Sequence, residues 1–456
     1  MTDSKSQMEK VVSLAKRRGF IFPGSEIYGG LAGTWDYGPL GVEMKNNIKR
    51  EWWRAMVYER DDVVGMDAAI LMNPKVWEAS GHTEAFSDPL VECKTCHERL
   101  RADHPKEIET HAAAHTKKNE SVSWTEPRQF NLLVEAKLGA VEGQKDSVYL
   151  RGEITQGVHV NFKNVLDSSR VKIPFGVAQI GKAFRNEITP GNFIFRSREF
   201  EQMELQYYLK PDEKVAAESF AYWKNERMEW YRKLGLKNAR FRDHAAGELA
   251  HYAKAACDIE YDAPFGGWKE MEGIHHRGDW DLSRHAKFSG ADLTYFDEET
   301  KTRYTPWVIE TSGGVDRALL FFLLDAYHEE GDRMILKLHP RLAPYKAAVF
   351  PLLANKPQLV EKARQIFKSL KFKSLNIAWD DRGNIGKRYY AQDEIGTPFC
   401  ITIDFQTLED DTVTVRDRDT AGQERVAAKE LVSYLDGKSG WGSGRALDAY
   451  TPWCII

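Results

Sequence analysis

Phe184-Arg185-Asn186-Glu187, a loop holding Thr189, Pro190 and Gly191, and then Arg196-Ser197-Arg198-Glu199-Phe200 form the stretch that decides how this chain is read. The pattern predicts a strand, a loop and a second strand, with the charged side chains gathered on one side. An arginine placed there can grip a phosphate through two parallel hydrogen bonds. Around it, Val158 to Phe162, Phe175 to Ile180, Phe193 to Phe195 and Met203 to Tyr208 read as short strands separated by turns, which predicts an antiparallel sheet. Further along, Val308 to Glu310 reads as a strand that runs through Ser312-Gly313-Gly314 into an apolar helix from Val315 to Tyr327, with Arg317 on its first turn. Glycine at such a junction lets backbone approach a ligand, and a helix N-terminus favours phosphate. An isolated arginine is more often half of a surface ion pair. Arg185 and Arg317 carry weight only together, as two cations able to hold a bent nucleotide.

The remaining segments extend this frame. Met1 to Gly19 is polar, lacks the apolar centre of a signal peptide and reads as an amphipathic helix. Residues 20–40 are rich in glycine and aromatics, and a helix carrying Trp52 and Trp53 follows. Residues 91–128 change character, with two cysteines, several histidines and many charges, and read as an insertion. Residues 211–256 read as helical. From Ala347 onward the elements alternate: strand to Leu353, helix Pro357 to Leu370, strand Ser374 to Trp379, helix Arg388 to Ile395, strands Pro398 to Asp404 and Val413 to Arg416. Alternation of this kind predicts a small α/β domain with a mainly parallel sheet. The expected division is a catalytic domain over 1–336 (with the 91–128 insertion and a helical segment over 211–262), a second domain over 340–440 and a tail over 441–456.

Composition excludes little. Of 456 residues, 42% are hydrophobic and 29% charged, as in an ordinary soluble protein. The net charge of −4 gives no global basic signature, although a local basic stripe on an acidic protein still binds phosphates. No apolar run approaches the roughly 20 residues a membrane span needs. Five scattered cysteines argue against a disulfide framework and for a reducing, cytoplasmic setting.

Phe-Arg-x-Glu at 184–187 and Gly-x-Asp-Arg at 314–317 resemble the second and third signature motifs of class II aminoacyl-tRNA synthetases, and Gly19 to Pro39 resembles the first, which builds the dimer interface in that class. Trp77-Glu78-Ala79-Ser80-Gly81-His82, Arg101-Ala102-Asp103-His104, Glu126 to Asn131, Arg198 to Glu204, Arg277 with Asp281 to His285, and Val308 to Gly313 narrow the resemblance to the glycyl enzymes. It runs from about Ala15 to about residue 435. The implied fold is an α+β catalytic domain on an antiparallel sheet followed by an α/β anticodon-binding domain. The implied activity joins glycine to tRNA(Gly) with ATP and Mg2+, in a homodimer. A non-catalytic synthetase-like chain, serving as a nucleic-acid-binding or accessory subunit, is the rival reading; such a chain is expected to lose the ATP-binding arginines.

The resemblance implies residue roles. Arg185 holds the α-phosphate, Arg196 and Arg317 the outer phosphates, and Phe200 stacks under adenine with Arg317 on the other face. Glu187 meets the adenine amino group or the ammonium region. Glu270 is favoured over Glu299 as a magnesium ligand. Glu153, Glu204 and Glu310, with Ser312, surround the glycine ammonium, and Arg277 binds its carboxylate. Departures are also visible: the family pattern Arg-Pro-Glu-Thr-Ala-Gln-Gly stands here as Arg151-Gly152-Glu153-Ile154-Thr155-Gln156-Gly157, and Thr311 replaces a common proline.

Cys93 and Cys96 with His111 and His115 have a spacing close to that of a structural zinc site, the two histidines sharing one helix face. His97 and His104 are competing ligands, and solvated histidines beside two free thiols is the plain alternative. In the C-terminal domain Lys387, Arg388, Arg416 and Arg418 are candidates for RNA phosphates, and Tyr389 or Tyr390 for stacking on a base.

Overall fold

The computed structural model describes residues 6–139, 146–250, 252–373 and 375–440. The proposed tail from 441 lies outside the described residues. Seven strands form the central sheet: β1 (Val63–Gly65), β2 (Phe175–Phe184), β3 (Glu199–Leu209), β4 (Ala239–Asp243), β5 (Ala255–Ala263), β6 (Gly267–Gly278) and β7 (Trp307–Gly314), in the order β4-β5-β6-β7-β3-β2-β1. All neighbours are antiparallel except β1 and β2. The expected antiparallel sheet is therefore present, closed at one edge by a short parallel strand.

Strand periodicity divides the sheet into two faces. Met203, Leu205 and Leu209 of β3 and Ile309 of β7 join one large core. Helix α1 (Gln7–Arg18), through Val11 and Leu14, and helix α2 (Pro39–Trp53), through Met44, Ile48 and Trp52, join this core by packing on the helix Val315–Ala326. Helices over Glu213–Lys233 and Val315–Ala326 complete it with Trp223, Tyr231, Leu319 and Phe321. Residues of the other parity, Gln202, Glu204 and Gln206, point to the opposite face, where only one end is apolar, around Tyr208, Val308 and Phe175.

Three expectations about the catalytic part are corrected. Val158 to Phe162 is not a strand: it spans the helices Thr155–Val160 and Phe162–Ser169. Val158 and Phe162 are four residues apart and both enter one core cluster, so the apolar spacing is helical. Phe193–Phe195 is a single helical turn, in a loop where Asn192 and Phe193 take φ of 53° and 59°, left-handed values that no strand accommodates. The helix after residue 211 stops at Lys233, where Gly235 (φ 97°) turns the chain into β4 and then β5.

The C-terminal part has its own core, formed by a sheet of order Ile377–Trp379, Ala347–Pro351, Phe399–Ile403, Thr412–Asp417 and Gln423–Ala427. The helix Pro357–Phe372 covers it with Leu359, Ala363, Ile366 and Leu370, at the i, i+4, i+7 spacing of an amphipathic helix. The sheet is mixed rather than mainly parallel: the first three strands pair in parallel and the last two antiparallel, because the short helix Phe405–Asp410 and then the turn over 418–422 each return the chain alongside the strand it has just left. No described helix is long and apolar enough to cross a membrane.

One buried ion pair sits behind the sheet. Arg227 Nε and Nη2 donate to the Glu272 carboxylate at 2.6 and 3.1 Å, and the Tyr231 hydroxyl donates to it at 2.7 Å. Both charged side chains are fully buried. Removing one partner strands the other charge in the core. Glu272→Ala is expected to lower unfolding stability by about 3–5 kcal/mol in chemical denaturation; a loss under 1 kcal/mol would show that the pair is dispensable.

Candidate active site

The open face of β3, β6 and β7 lines a cleft of about 310 Å³. Register places Glu204 opposite Ser312 and Gln206 opposite Glu310, and puts His275 beside Glu310 on the third strand. Glu153 and Thr155 enter from the segment that opens the helix Thr155–Val160. The structure thus brings Glu153, Glu204, Glu310 and Ser312 together, as the sequence suggested, with Arg185, Glu187, Arg196, Phe200, Glu270, Arg277 and Arg317 lining the same cleft. Glu299 does not join them; it lies in the turn between the short strands Tyr295–Asp297 and Thr302–Tyr304.

The three carboxylates are held differently. Burial works against ionised Glu153, but His82 at 3.3 Å and the charge of Arg277 overcome it and hold its pKa at about 2. Glu310 is likewise held well below the usual carboxylate range against burial, by Arg277 at 3.0 Å and His275 at 2.9 Å. Glu204 meets only uncharged donors: Gln202 Nε2 at 2.9 Å, the Ser312 hydroxyl at 2.6 Å and the Thr155 hydroxyl at 2.6 Å. Burial, with the charges of Glu310 and Glu153, pushes it up to about 8.

Arg277 is already well occupied. Its Nε and Nη2 donate to the two oxygens of Asp281 at 2.7 and 2.9 Å, its Nη1 donates to Glu310, and its guanidinium stacks 3.9 Å from the centre of the Tyr252 ring. Its charge is matched inside the protein, so it serves first to fix Glu310; a free carboxylate can reach only the N–H groups left over.

The end of the cleft that holds Arg185 and Arg317 is more open. Arg185 anchors its Nε on the Gly152 carbonyl at 3.1 Å and lies over the rings of Phe86 and Phe200, at 5.1 and 5.4 Å. Arg317 stacks on Phe195 at 4.5 Å and reaches Glu270 at 3.3 Å. The Arg317 guanidinium holds Glu270 below the usual carboxylate range, with help from His275 and Arg185. Arg196 lies 3.6 Å from Glu187, which puts Glu187 among the arginines at this end of the cleft.

Sequence reasoning gave no role to Asp316, which joins all three motif regions. It accepts from Tyr37, from Lys45 of α2 at 2.8 Å and from the Glu201 amide of β3 at 2.6 Å. Its position inside Gly-x-Asp-Arg was the available signal. Thr155 was also missed, because its hydroxyl stands where the family pattern has alanine.

Cys93, Cys96, His111 and His115 do converge: one ligand atom from each lies within 4.8 Å of all the others. His111 Nδ1 faces Glu98 at 3.1 Å and His115 Nδ1 faces Glu120 at 2.6 Å, an outer shell that leaves Nε2 toward the group. His97 and His104 turn instead to Glu92 and Glu107. The insertion is tied to the cleft at its root, where the Leu132 carbonyl accepts from the Asn186 amide at 2.8 Å. A Cβ on Gly152 would meet Phe86 at 2.9 Å and Leu133 at 3.2 Å, so this loop glycine fits against the two segments that flank the insertion.

Three of the four basic candidates for RNA phosphates are structural. Arg388 donates to the carbonyls of Pro351, Asp381, Arg382 and Gly383. Arg416 forms a two-pronged pair with Asp393, and Arg418 donates to the Gly396 and Leu338 carbonyls. All three are buried, whereas Lys387 and Tyr390 are exposed. Tyr389 is half-buried, its hydroxyl on Thr402.

Comparison with known proteins agrees with this geometry. Residues 137–326 match the tRNA synthetase class II core domain (G, H, P, S and T), and residues 346–438 match the anticodon binding domain. The glycine–tRNA ligase of Thermobifida fusca is 52% identical over 461 residues, covering 95% of this chain and 98% of that protein. The chain belongs to the glycine–tRNA ligase family. The ligases of Borreliella burgdorferi (53% identical, 94% of this chain and 97% of that one) and Streptomyces coelicolor (50%, 94% and 98%) are similar along the same length. The fold expected from the resemblance, a class II catalytic core with an anticodon-binding domain behind it, is the fold of this family.

The raised Glu204 gives a stability prediction with a definite sign. Its folded pKa lies above the ordinary value of 4.5, so its contribution is present below that pH and is lost as pH rises toward about 8. Glu204→Gln removes this loss. In the ligand-free protein the variant should gain on wild type by about 1.4 kcal/mol per pH unit between pH 5 and 7.5, read by denaturant unfolding at each pH; a constant difference would mean that Glu204 is ionised throughout.

Proposed function

We propose that this cleft activates glycine and that the chain then transfers it to tRNA(Gly). The observation that carries the reading is three acidic side chains converging beside two arginines and an aromatic ring on one sheet face of a glycine–tRNA ligase family member. The glycine carboxylate attacks the α-phosphorus of ATP in line; the bond to pyrophosphate breaks and glycyl-adenylate forms. The 3′-terminal hydroxyl of tRNA then attacks the glycyl carbonyl and releases AMP. Catalysis of this kind rests on positioning and charge neutralisation, and needs no side-chain nucleophile.

Glu153, Glu204 and Glu310, with Ser312, receive the ammonium, and a cleft packed this tightly refuses a larger side chain. Arg185 meets the α-phosphate and the glycine carboxylate near it, with Arg277 behind Glu310 lending its remaining N–H groups. Phe200 supports adenine, Glu187 with Arg196 borders the phosphates, and Arg317 meets the outer ones. Glu270 is the acidic group best placed for Mg2+: it faces Asp258, whose carboxyl is pushed up by burial and by the charge of Glu270. Two carboxylates in mutual repulsion suit a hard divalent cation, which when bound neutralises phosphate charge. Glu272, committed to Arg227, is not available for it.

A second copy of the chain is the partner that suits the loop between Pro23 and Trp35, where Ile27 and Tyr28 stand 88% and 87% exposed beside Leu31. Lys387 and Tyr390 remain as the anticodon-side contacts. Cys93, Cys96, His111 and His115 suit a structural Zn2+, which the soft thiolates and imidazoles favour. The four described cysteines are all free, as a reducing cytoplasm would keep them.

Glycine-dependent exchange of pyrophosphate into ATP tests the reading, run beside alanine, serine, proline and threonine. Exchange with glycine alone is expected, and Arg317→Ala should lower it at least a hundredfold while leaving the oligomeric state unchanged. No exchange with any amino acid would favour a non-catalytic chain. Freshly purified protein should hold about one zinc per chain, and chelation should lower its melting temperature; zinc-free protein with an unchanged melting curve would remove the metal.

A further inference from the structure

Thr155 Oγ1 lies 2.6 Å from Glu204 Oε2 and 3.0 Å from Glu310 Oε1. A hydroxyl carries one hydrogen, and an ionised carboxylate has none to give. One hydroxyl therefore cannot serve two ionised carboxylates at once, and whichever oxygen it fails to serve is left facing its lone pairs in a buried site. A proton on Glu204 resolves the conflict: Glu204 donates to Thr155, and Thr155 donates to Glu310. The chain of two hydrogen bonds ends on the carboxylate that Arg277 and His275 hold ionised.

The surroundings single out Glu204 for the proton. From β7 it faces Glu310, and from the segment before the helix it faces Glu153; both are anionic and repel a second charge. Arg151 acts on it from the other side, but that guanidinium is spent on the Lys182 and Ala68 carbonyls. On β6, Arg277 and His275 reach Glu310, and His82 reaches Glu153. The buried oxygens Gln202 Oε1 and Gln206 Oε1 have no donor among the described residues, so the pocket is short of hydrogens as well as of positive charge.

We propose that Thr155 is a positioning residue that stores a proton between Glu204 and Glu310 in the empty site, and that the ammonium of glycine displaces this proton to solvent on binding. The proposal rests on the glycine reading given above. An ammonium brings three donors and a positive charge to a site deficient in both, so Glu204 ionises to receive it and the stored proton leaves. No bond is broken except that between Glu204 and its proton. An uncharged competitor gains nothing from the exchange, so the stored proton makes the pocket selective for a cationic head group.

Calorimetric titration of the full-length protein with glycine, at pH 7 in buffers of differing ionisation enthalpy, measures the proton directly. Release approaching one proton per glycine is expected. Glycine affinity should rise about tenfold per pH unit from pH 6 to 7.5 and flatten above about 8. In Glu204→Gln that release should vanish. Thr155→Val deletes two hydrogen bonds from the protonated form but one from the ionised form, so the bend in affinity should move to lower pH. Buffer-independent heats in wild type would show that Glu204 is already ionised and overturn the proposal. An unmoved or raised bend in Thr155→Val would remove Thr155 from it, and the same release from Glu204→Gln would assign the proton elsewhere. If Glu204→Gln binds too weakly to titrate, the wild-type buffer series and Thr155→Val decide alone. Glycine-dependent pyrophosphate exchange in wild type reports separately on the underlying function, so failure of the proton inference with exchange intact leaves that reading standing.

Discussion

The register of β3 against β7 governs both faces of the central sheet. With Leu205 opposite Thr311 and Gln206 opposite Glu310, one face of the pair is apolar and the other carries the acids. A slip of β3 by one residue would send Glu204 into the core, away from Glu310 on β7, and Met203 and Leu205 into the cleft. Apolar burial on the inner face is worth roughly 1.5–3 kcal/mol for each large side chain, so the core fixes the register and the acids are carried along with it. The cleft can then hold a group of like charges that would not assemble by itself. Internal partners finish the arrangement: Arg277, locked by Asp281, balances Glu310, and His82 lies 3.3 Å from Glu153. Glu204 alone is left without a charged donor, and that asymmetry gives the pocket its character.

Asp316 shows how the three motifs become one object. They lie far apart in sequence, yet a single buried carboxylate on the first turn of the helix Val315–Ala326 is bonded to Tyr37, Lys45 and the Glu201 amide. The same turn carries Arg317. Any shift of α2 or β3 is therefore transmitted to Arg317 through hydrogen bonds, before substrate contacts are considered.

Residues with one chemical purpose were the legible ones. Arg185, Arg317 and the acidic set could be placed from motif and alternation, and the helices Gln7–Arg18, Pro39–Trp53 and Pro357–Phe372 from apolar spacing. Misreadings arose where one residue type serves two purposes. Val158 and Phe162 satisfy a strand alternation as well as a helical i, i+4 pair, and only the shared core cluster separates them. Arg388, Arg416 and Arg418 look like an RNA-binding stripe, but loops and strand ends in a small domain leave carbonyls and Asp393 to be satisfied, and arginine does that equally well. The occupation of Arg277 was invisible because Asp281, four residues away, reads as surface charge until a turn of helix brings it alongside. The double contact of Thr155 depends on two strands that approach from 49 and 155 residues away.

Gly152 has a consequence for anyone recombining these enzymes. Its missing side chain is occupied by Phe86 and Leu133, and its carbonyl steadies Arg185. The loop over 151–157 and the root of the insertion are thus matched halves of one joint. A chimera that imports a proline-bearing loop without its own insertion, or grafts a foreign insertion onto this loop, would join surfaces that do not fit, and the misfit would be felt first at Arg185. The two segments, although separated in sequence, are a single cassette for exchange.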